Sequence, residues 1–480
     1  MPGVPKNSGY GDLDKKITLG RNFSCLTFHG RTWRSLLAKI LGVGGARRVT
    51  VFSLFGILAR FARAFEGMES MDVIHFCVIL TSLFFLTLAW RTRSFSTGLD
   101  ALENQSLEPK SLRPESDSQW PRMSLIVPAC NEASTIESAA KSLIALDYPN
   151  LEVIFVNDRS TDETGRMIDE IQARSDRFKA IHISELPSGW LGKVHAMSKG
   201  IEAATGEWIV LTDADVHFSA HALRKAVAYN RKNRLDFLTI IPDLVTQTFR
   251  LQVLMAQLYH QASLFFNPRK LNDPSHKVCY GQGAFLMFDR SLYARSPGLE
   301  WLKMEVVDDT GFALMMRRAG ARMGAVSGRN ELRLEWYTSI GSMVKGLEKN
   351  GFAMCQYSLL TMFAFIIATW MIFLGFTVFP FLTKSWGYGL LSFLSLGTYL
   401  ASIDFQLRKL MDLNRLSVCF FPITFVLLPF IFLRAGILAN WRDGIHWRGT
   451  FYSLGDLRSN QRMKLVNLLI VPSPKTSPPQ

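Results

Sequence analysis

Long apolar runs bracket a stretch of soluble composition, and this division constrains the chain more than any other feature. Residues 71–90 supply about twenty mostly apolar positions closed by tryptophan and arginine, the length and flanking chemistry of a membrane-spanning helix. Three more apolar blocks lie at about 358–382, 386–403 and 416–438, and polar turns separate them. The sequence therefore predicts four membrane spans, with one globular segment between the first span and the second.

The segments around these blocks complete the predicted organisation. Residues 50–65 are apolar, but Arg60 and Arg63 interrupt them, which favours a helix at the membrane interface over a fifth span. We expect a basic amino-terminal region (1–49), an interfacial and a transmembrane helix (50–94), a linker (95–120), a globular domain (121–335), an amphipathic interfacial segment (336–357), three transmembrane helices (358–440) and a carboxy-terminal tail (441–480).

Composition limits the partners of the chain. Lys and Arg number 54 against 40 Asp and Glu, which gives a net charge of +14. Charges that flank membrane segments account for much of this excess, and anionic lipid headgroups or a phosphate-bearing substrate suit the rest. Because no basic-and-aromatic reader motif is present, nucleic acid is not an expected partner. The six cysteines show no CxxC spacing, which argues against a zinc site and a disulfide framework.

Short apolar strands alternate with helices in the globular segment, beginning with MSLIVPA and continuing through LEVIFVND, AIHIS and EWIVLTDAD. This alternation predicts an α/β domain with a parallel sheet covered on both faces. In such sheets ligands bind beyond the carboxyl ends of the strands. Three of these ends carry polar groups to one crevice: Asn131 and Glu132, Asn157 and Asp158, and Asp213 and Asp215.

The TDAD sequence is a candidate metal site. Asp213 and Asp215 are two residues apart at a predicted strand end, so alternation would point both carboxylates to one side. Two hard oxygen ligands on one side suit Mg²⁺ or Mn²⁺ bridging a diphosphate. A solvated turn is the commoner meaning of this spacing, but the apolar strand before it and the similar neighbouring strands favour the metal.

Asp158 follows a β-branched strand and precedes a helix that Ser160 or Thr161 would cap. One interpretation is that Asp158 itself only caps this helix. The other is that its carboxylate accepts hydrogen bonds from a nucleobase, and the partner strands favour this second interpretation.

Four longer motifs occur in a fixed order over about 125–325: PACNEASTIESAAKSLIALDYPNLEVIFVNDRSTDET, GEWIVLTDADVHF, GQGAFLMFDR and EVVDDTGFALMMRRAG. Together they resemble the family 2 glycosyltransferases. The resemblance implies a GT-A fold, a Rossmann-like nucleotide-diphospho-sugar transferase domain, joined here to transmembrane helices. PSGWLGKVHAMSKG and DGIHWRGTFY resemble a membrane-anchored branch that includes hopanoid-associated and carotenoid (diaponeurosporenoate-type) enzymes acting on lipid-like acceptors.

The resemblance assigns the donor side of the site residue by residue. Pro128, Asn131, Glu132 and Asp158 would line the nucleotide pocket. Lys193 would approach the donor and offset the charge that grows on the departing nucleoside diphosphate.

It also assigns the metal and the acceptor loop. Asp213 and Asp215 would hold Mg²⁺ or Mn²⁺ and the donor sugar, with Asp215 the stronger metal ligand. Gly281 and Gly283 would shape the acceptor loop, where absent side chains permit close approach of the backbone.

Asp308 and Asp309 form a carboxylate pair at the predicted start of a helix that Gly320 closes. The helix dipole favours acidic residues there even without a function. In the resemblance Asp309 matches the general base, and Asp308 stands where Glu is more usual. The implied reaction is one in-line displacement with inversion, in which Asp309 takes the proton of an acceptor hydroxyl.

Processive polysaccharide synthases of this family carry QxxRW after the base, but this chain has EWYTSIGSMVKGLEKNGFA there. The absence of QxxRW favours transfer of one sugar to a lipid over polymerisation. The first half of this stretch is predicted to be an amphipathic helix with Lys345 and Lys349 toward headgroups or diphosphate. A solvated basic face is the alternative.

The sequence thus predicts an inverting, metal-dependent glycosyltransferase that uses a nucleotide-sugar donor and a lipid-like acceptor. A processive polysaccharide synthase and a catalytically inactive membrane scaffold are the alternatives. Arg91 and Arg93 favour a cytoplasmic catalytic domain at the cell (inner) membrane, although the basic amino-terminal region favours the same side and one span cannot satisfy both. Four phenylalanines are candidates for an apolar acceptor groove, with core packing as the alternative: Phe265, Phe266, Phe285 and Phe288.

Overall fold

An apolar helix, α1 (Ser70–Gly98), leads into the globular segment and continues beyond the predicted end of the first span at residue 90. The structure is a computed structural model, and it describes residues 70–105, 120–264, 267–276, 278–383 and 385–464. The predicted basic region 1–49, the apolar stretch 50–65 and most of the predicted linker lie outside the described residues.

The globular segment has the predicted α/β fold, in which strands alternate with helices. Its strands are β1 (Asp100–Ala101), β2 (Met123–Ala129), β3 (Leu151–Asp158), β4 (Phe178–Ile183), β5 (Trp208–Leu211), β6 (Val216–Phe218), β7 (Phe237–Leu244), β8 (Leu286–Asp289) and β9 (Met323–Leu334). Its helices are α2 (Ile136–Ile144), α3 (Thr164–Gln172), α4 (Gly192–Ala203), α5 (Ala222–Asn233), α6 (Phe249–Ser263), α7 (Arg290–Ala294) and α8 (Asp308–Arg318).

Within the described residues these strands form one sheet in the order β1-β9-β7-β8-β5-β2-β3-β4, with β6 paired to β9. The sheet is mixed, so the prediction of a wholly parallel sheet was wrong. β8 runs antiparallel between β5 and β7, and β6 runs antiparallel to β9. The reason is local: the chain enters β8 beside Leu211, at the end of β5, and runs back along β5.

Helix α4 covers the centre of the sheet and sets the position of its own first turn. All eight residues of β3 are buried, as expected for a β-branched strand covered on both faces. α4 packs on β2 and β3 so closely that a Cβ at Gly200 would lie 2.3 Å from Ile126 Cγ2. This contact fixes the height of α4 above the sheet, and its amino terminus then lies at the carboxyl ends of the strands.

The carboxy-terminal half is helical and closes with a hairpin. It contains α9 (Ile340–Met354), α10 (Leu359–Thr377), α11 (Phe379–Leu382), α12 (Trp386–Leu410), α13 (Phe421–Trp441), β10 (Gly444–Trp447), β11 (Thr450–Ser453) and α14 (Leu454–Asn460). α1 packs along α12, and α13 packs against α9 and α10. The three predicted apolar blocks correspond to α10 with α11, to α12 and to α13.

Three of the described helices are long and apolar enough to cross a membrane: Asp72–Gly98, Trp386–Leu410 and Ile423–Trp441. A fourth candidate is the pair α9 and α10, which is bent by 105°. Large apolar side chains point outward from the long helices; Leu83, Phe393 and Ile437 are 57%, 72% and 51% exposed. Such faces suit a lipid environment.

Candidate active site

Three parallel strands end at one edge of the sheet. β2 lies between β3 and β5, and Ala129 is level with Asn157 of β3. Asp158 is the last residue of β3, and the loops that follow β2 and β5 carry Asn131 and Asp213. The sheet register therefore accounts for the grouping of polar residues from three distant parts of the chain.

A small cavity lies at this edge. Six of the predicted site residues line it: Pro128, Lys193, Asp213, Gly283, Asp308 and Asp309. Its apolar wall is formed by Met197, Leu211, Leu286 and Phe312. The other five predicted residues lie outside this lining: Asn131, Glu132, Asp158, Asp215 and Gly281.

Lys193 joins two of the acidic segments. It lies in the first turn of α4, and its Nζ is 2.7 Å from Asp213 Oδ1 and 3.1 Å from Asp308 Oδ2. Burial alone would lower the pKa of Lys193, but the carboxylates of Asp213 and Asp308 outweigh burial and raise it. Lys193 is therefore charged at neutral pH.

Asp213 and Asp215 lie in a turn between β5 and β6, since β5 ends at Leu211. The prediction that strand alternation orients their carboxylates was therefore wrong. Burial, followed by the charges of Asp213 and Glu132, raises the pKa of Asp215 to about 7. Burial opposes ionisation of Asp213 too, but Lys193 keeps its pKa low.

These two carboxylates fit a divalent cation. Lys193 neutralises Asp213, whereas Asp215 has no ion-pair partner within the described residues. No group of three or more His, Cys, Asp or Glu side chains gathers into a metal site in that part of the chain. An ion bound by Asp213 and Asp215 would take its remaining ligands from phosphate and water, as Mg²⁺ commonly does.

Asp308 and Asp309 begin helix α8, as predicted. Asp309 Oδ1 accepts a hydrogen bond from the Thr310 N–H at 2.6 Å, and Oδ2 accepts one from the Gly283 N–H at 3.2 Å. Burial, and next the charge of Asp308, raise the pKa of Asp309 to about 6. Asp309 is thus oriented by backbone donors, with a pKa suited to accepting a proton near neutral pH.

Two glycines hold the loop before β8 against these carboxylates. A Cβ at Gly281 would lie 2.4 Å from the carbonyl oxygen of Asp309, and one at Gly283 would lie 3.0 Å from Asp213 Oδ2. The predicted close approach of the backbone is therefore present at both positions.

Asp158 makes a contact that the sequence did not predict. Its carboxylate is 2% exposed and is held by its neighbour Arg159, whose Nε lies 2.7 Å from Oδ1 and whose Nη2 lies 3.0 Å from Oδ2. The backbone of Arg159 has a positive φ of 53°. A base bound here would meet the Arg159 guanidinium as well as Asp158.

The prediction that Ser160 or Thr161 caps the next helix was wrong. α3 starts later, and Asp162 Oδ1 accepts the hydrogen bond of the Thr164 N–H at 3.0 Å. Ser160 and Thr161 instead join the two loops, because Asn131 donates its N–H to Ser160 Oγ at 3.0 Å and accepts the Thr161 N–H at 2.8 Å. Asn131 therefore holds the loops that follow β2 and β3 together.

The β10–β11 hairpin reaches this edge from the far end of the chain, and sequence reasoning did not include its residues in the site. Arg448 Nη2 lies 2.5 Å from Glu132 Oε1, and Nη1 donates to the carbonyl oxygen of Cys130. The Gly192 N–H donates to Tyr452 Oη at 3.2 Å. The resemblance of DGIHWRGTFY to the membrane-anchored branch was the available signal, but it carried no role for Arg448 or Tyr452.

The phenylalanines predicted for an acceptor groove belong to the core where they are described. Phe285 and Phe288 are 0% exposed, and the ring centroid of Phe288 is 4.9 Å from that of Phe312. The core-packing alternative is correct for these two. Phe265 and Phe266 lie outside the described residues.

Part of the globular segment matches a known protein family. The model of the family described as "Glycosyl transferase family 2" matches residues 124–296. This range contains β2 to β8 and ends before Asp308 and Asp309.

Two curated relatives resemble parts of the same segment. A beta-monoglucosyldiacylglycerol synthase of Nostoc sp. (strain PCC 7120) is 30% identical over 140 residues, 29% of this chain and 30% of that protein. A poly-beta-1,6-N-acetyl-D-glucosamine synthase of Staphylococcus epidermidis is 31% identical over 94 residues, 19% of this chain and 21% of that protein. The chain therefore spans less than a third of the length of either relative.

Among solved structures, the mannosyltransferase PcManGT of Pyrobaculum calidifontis, in complex with GDP-Man and Mn²⁺, aligns with a TM-score of 0.45. The alignment covers 78% of this chain and 99% of that chain at 17% identity.

Proposed function

Because residues 124–296 match the model of the family 2 glycosyltransferases, we propose that this chain moves one sugar from a nucleotide-sugar donor to a lipid-like acceptor at a membrane. The observation that carries the proposal is the charge arrangement in the cavity. Lys193 binds Asp213 and Asp308, whereas Asp309 has no ion pair of its own in the described part of the chain and is held by backbone donors. The cavity thus offers a fixed cation for a leaving group and a free carboxylate for a proton.

The proposed reaction is a single displacement with inversion at the anomeric carbon. An acceptor hydroxyl oxygen forms a bond to that carbon while the bond from the carbon to the diphosphate oxygen breaks. The electron pair leaves with the nucleoside diphosphate, and the acceptor proton moves to Asp309. Lys193 lowers the energy of the departing diphosphate, and the apolar wall of the cavity strengthens this effect by limiting water.

The donor would lie across the carboxyl ends of β2, β3 and β5. In this arrangement Pro128, Asn131, Glu132 and Asp158 line the nucleotide side, and Gly281 and Gly283 form the acceptor loop. Asp308 then positions Lys193, because its carboxylate contacts the same ammonium as Asp213.

Asp213 and Asp215 would hold Mg²⁺ or Mn²⁺, with Asp215 the stronger ligand since it has no competing cation. When bound, the ion would supply positive charge to the diphosphate. The raised pKa of Asp215 supports this assignment, because a buried carboxylate beside two others gains most from a nearby cation.

The acceptor class rests on the membrane helices and on α9. One relative is named for a glucosylated diacylglycerol and the other for a polysaccharide, so sequence similarity in the matched segment does not choose between lipid and polymer. The helix after the base, α9, lacks QxxRW, which favours transfer of one sugar to a lipid.

We further propose that residues 121–335 form the catalytic domain on the cytoplasmic side of the cell (inner) membrane. Residues 336–357 would lie at the membrane interface, and α1 and the helices within 358–440 would anchor the chain. The 105° bend between α9 and α10 supports a change from an interfacial to a crossing direction.

The test uses full-length protein purified in detergent, a panel of UDP-, GDP- and dTDP-sugars, Mn²⁺ or Mg²⁺, and lipid extract as acceptor. Asp309→Asn is the inactive variant, and substitution of an exposed aspartate, Asp176→Asn, is its matched control. Transfer of a single sugar to lipid that is lost only in Asp309→Asn supports the proposal. Long polymer would favour the synthase, and no turnover with any donor would favour the scaffold.

A further inference from the structure

The β10–β11 hairpin ends in a tight turn that faces the donor edge of the cavity. Trp447 and Thr450 are paired across the turn, and the two residues between them, Arg448 and Gly449, have positive φ values of 47° and 77°. Positive φ at both central residues is typical of a two-residue, type I′ hairpin turn. The turn therefore presents Arg448 at the tip of the hairpin.

Contacts on three sides fix this tip in place. Arg448 binds Glu132, and Thr450 Oγ1 accepts a hydrogen bond from Arg159 Nη1 at 3.1 Å. Tyr452 accepts the Gly192 N–H from the start of α4. Each loop that borders the nucleotide side of the cavity is thus attached to the hairpin.

The chain that follows the hairpin is attached to the loop that carries the predicted base. Glu305 is fully buried, and its Oε2 accepts the N–H groups of Arg462 and Met463 at 2.7 and 2.9 Å. Glu305 Oε1 accepts the Val307 N–H at 3.2 Å, next to Asp308. The carboxy-terminal segment therefore contacts the site at two places, through the hairpin and through residues 462 and 463.

A second cation, Lys349 of α9, lies beside the hairpin. Its Nζ is 3.8 Å from the ring centroid of Trp447, which places the ammonium over the face of the indole. Its charge also interacts with those of Asp308, Asp213 and Arg448, and burial lowers its pKa to about 8. Across the described residues, no carboxylate oxygen lies within 4.0 Å of this ammonium.

A desolvated ammonium without an anion is costly, and a bound anion removes that cost. The carboxylates of Asp213 and Asp308 line the cavity. Lys349 and Arg448 supply positive charge from elements that lie outside the matched family segment. An anion between the two groups would be neutralised by the cations from α9 and the hairpin.

We propose that Lys349 and Arg448 form a clamp that binds the diphosphate of the donor. This inference rests on the proposed function, because it takes the donor to be a nucleotide sugar. The clamp adds to Lys193 a second source of positive charge for the leaving group. Arg448 would reach the diphosphate while its Glu132 contact keeps the guanidinium oriented.

The test measures the affinity of full-length protein in detergent for UDP, GDP and dTDP and for UMP, GMP and dTMP, by calorimetry with Mn²⁺. The variants are Lys349→Met, Arg448→Gln and Arg448→Lys. Lys232→Met is the matched control, because Lys232 is an exposed lysine on α5 that has no place in the proposed site. Each nucleoside diphosphate is compared with its own monophosphate, so that the contribution of the added phosphate is isolated.

The clamp predicts that Lys349→Met and Arg448→Gln each lower the ratio of diphosphate to monophosphate affinity by about 10-fold or more. Arg448→Lys should fall between wild type and Arg448→Gln, and Lys232→Met should keep the wild-type ratio. An unchanged ratio in Lys349→Met and Arg448→Gln overturns the clamp alone. So does an equal loss of both affinities, which is the mark of a structural defect. Failure of wild-type protein to bind any of the nucleotides overturns the proposed function as well.

Discussion

Transfer by the wild-type protein should fall on the acid side of neutrality because Asp309 must be ionised to accept a proton. Its pKa is raised to about 6, first by burial and then by Asp308. A group of that pKa is about 90% ionised near pH 7 and about 10% ionised near pH 5. The rate of the chemical step should therefore fall about 10-fold over that interval. Asp309→Asn should lower the rate by about 10²- to 10⁴-fold at every pH, which is the usual contribution of a general base.

The assay is single-turnover transfer at saturating donor and acceptor, with Mn²⁺ in excess. Excess metal is needed because Asp215 has a pKa of about 7 without a cation, and its protonation would otherwise add a second acid limb. Donor affinity is measured in parallel by calorimetry at each pH. The acid limb should appear in the rate and not in donor affinity.

Asp308→Asn separates the two neighbouring carboxylates. Removing the charge of Asp308 removes the second cause of the raised pKa of Asp309, so the acid limb should move to lower pH. A flat rate profile between about pH 7 and pH 5 would refute the assignment of Asp309 as the base. Retention of most of the wild-type rate by Asp309→Asn would refute it independently of any pKa.

Three further predictions concern the loop, the metal and the sheet. Gly281→Ala should abolish transfer and lower the melting temperature, because its Cβ would lie 2.4 Å from the carbonyl oxygen of Asp309 and the backbone would have to move; normal turnover in this variant would contradict the close approach. Chelation with EDTA should stop transfer and Mn²⁺ should restore it, with Asp215→Asn needing more metal; turnover in EDTA would exclude the metal site. Glu152→Gln should lower the melting temperature at neutral pH. Burial would raise the pKa of Glu152, but hydrogen bonds from Lys179, Ser124 and Thr205 outweigh burial and lower the pKa from 4.5 to about 2. That contribution, about 3 kcal/mol, is complete above about pH 4.5 and is lost as pH falls toward the folded pKa, so the gap between variant and wild type should narrow in acid; a constant gap would contradict it.

The parts of the fold that follow from local periodicity were predicted. The parts that depend on contacts between distant residues of the chain were not. Apolar strands such as LEVIFVND and the helices between them are encoded in spacing, so the order from β2 to β5 was evident. The antiparallel direction of β8 was not, because FLMFD reads as an apolar strand in either direction. Only the position of its first residue beside Leu211 decides the direction.

The same limit applies to the site. Asp309 and Lys193 were named from the resemblance, and the structure supplies the distances that separate their roles. The pairing of Asp158 with Arg159 was missed because Arg159 has a positive φ. No residue pattern near Arg159 indicates that backbone conformation. Arg448 was missed because it lies 316 residues after Glu132 in the sequence, and a hydrogen bond over that separation leaves no local sequence signal.

The position of both proposed clamp residues is set by one helix pair. α13 packs against α9 so closely that a Cβ at Gly351 would lie 2.5 Å from the Phe432 ring, and α13 runs into β10 after only Arg442 and Asp443. Lys349 lies on α9 two residues before Gly351, and Arg448 lies on the hairpin that α13 leads into. A shift of α13 relative to α9 would therefore move the two cations relative to each other. The proposed membrane anchoring and the proposed donor binding would then depend on the same packing contact, which would give a physical reason for joining the two parts in one chain.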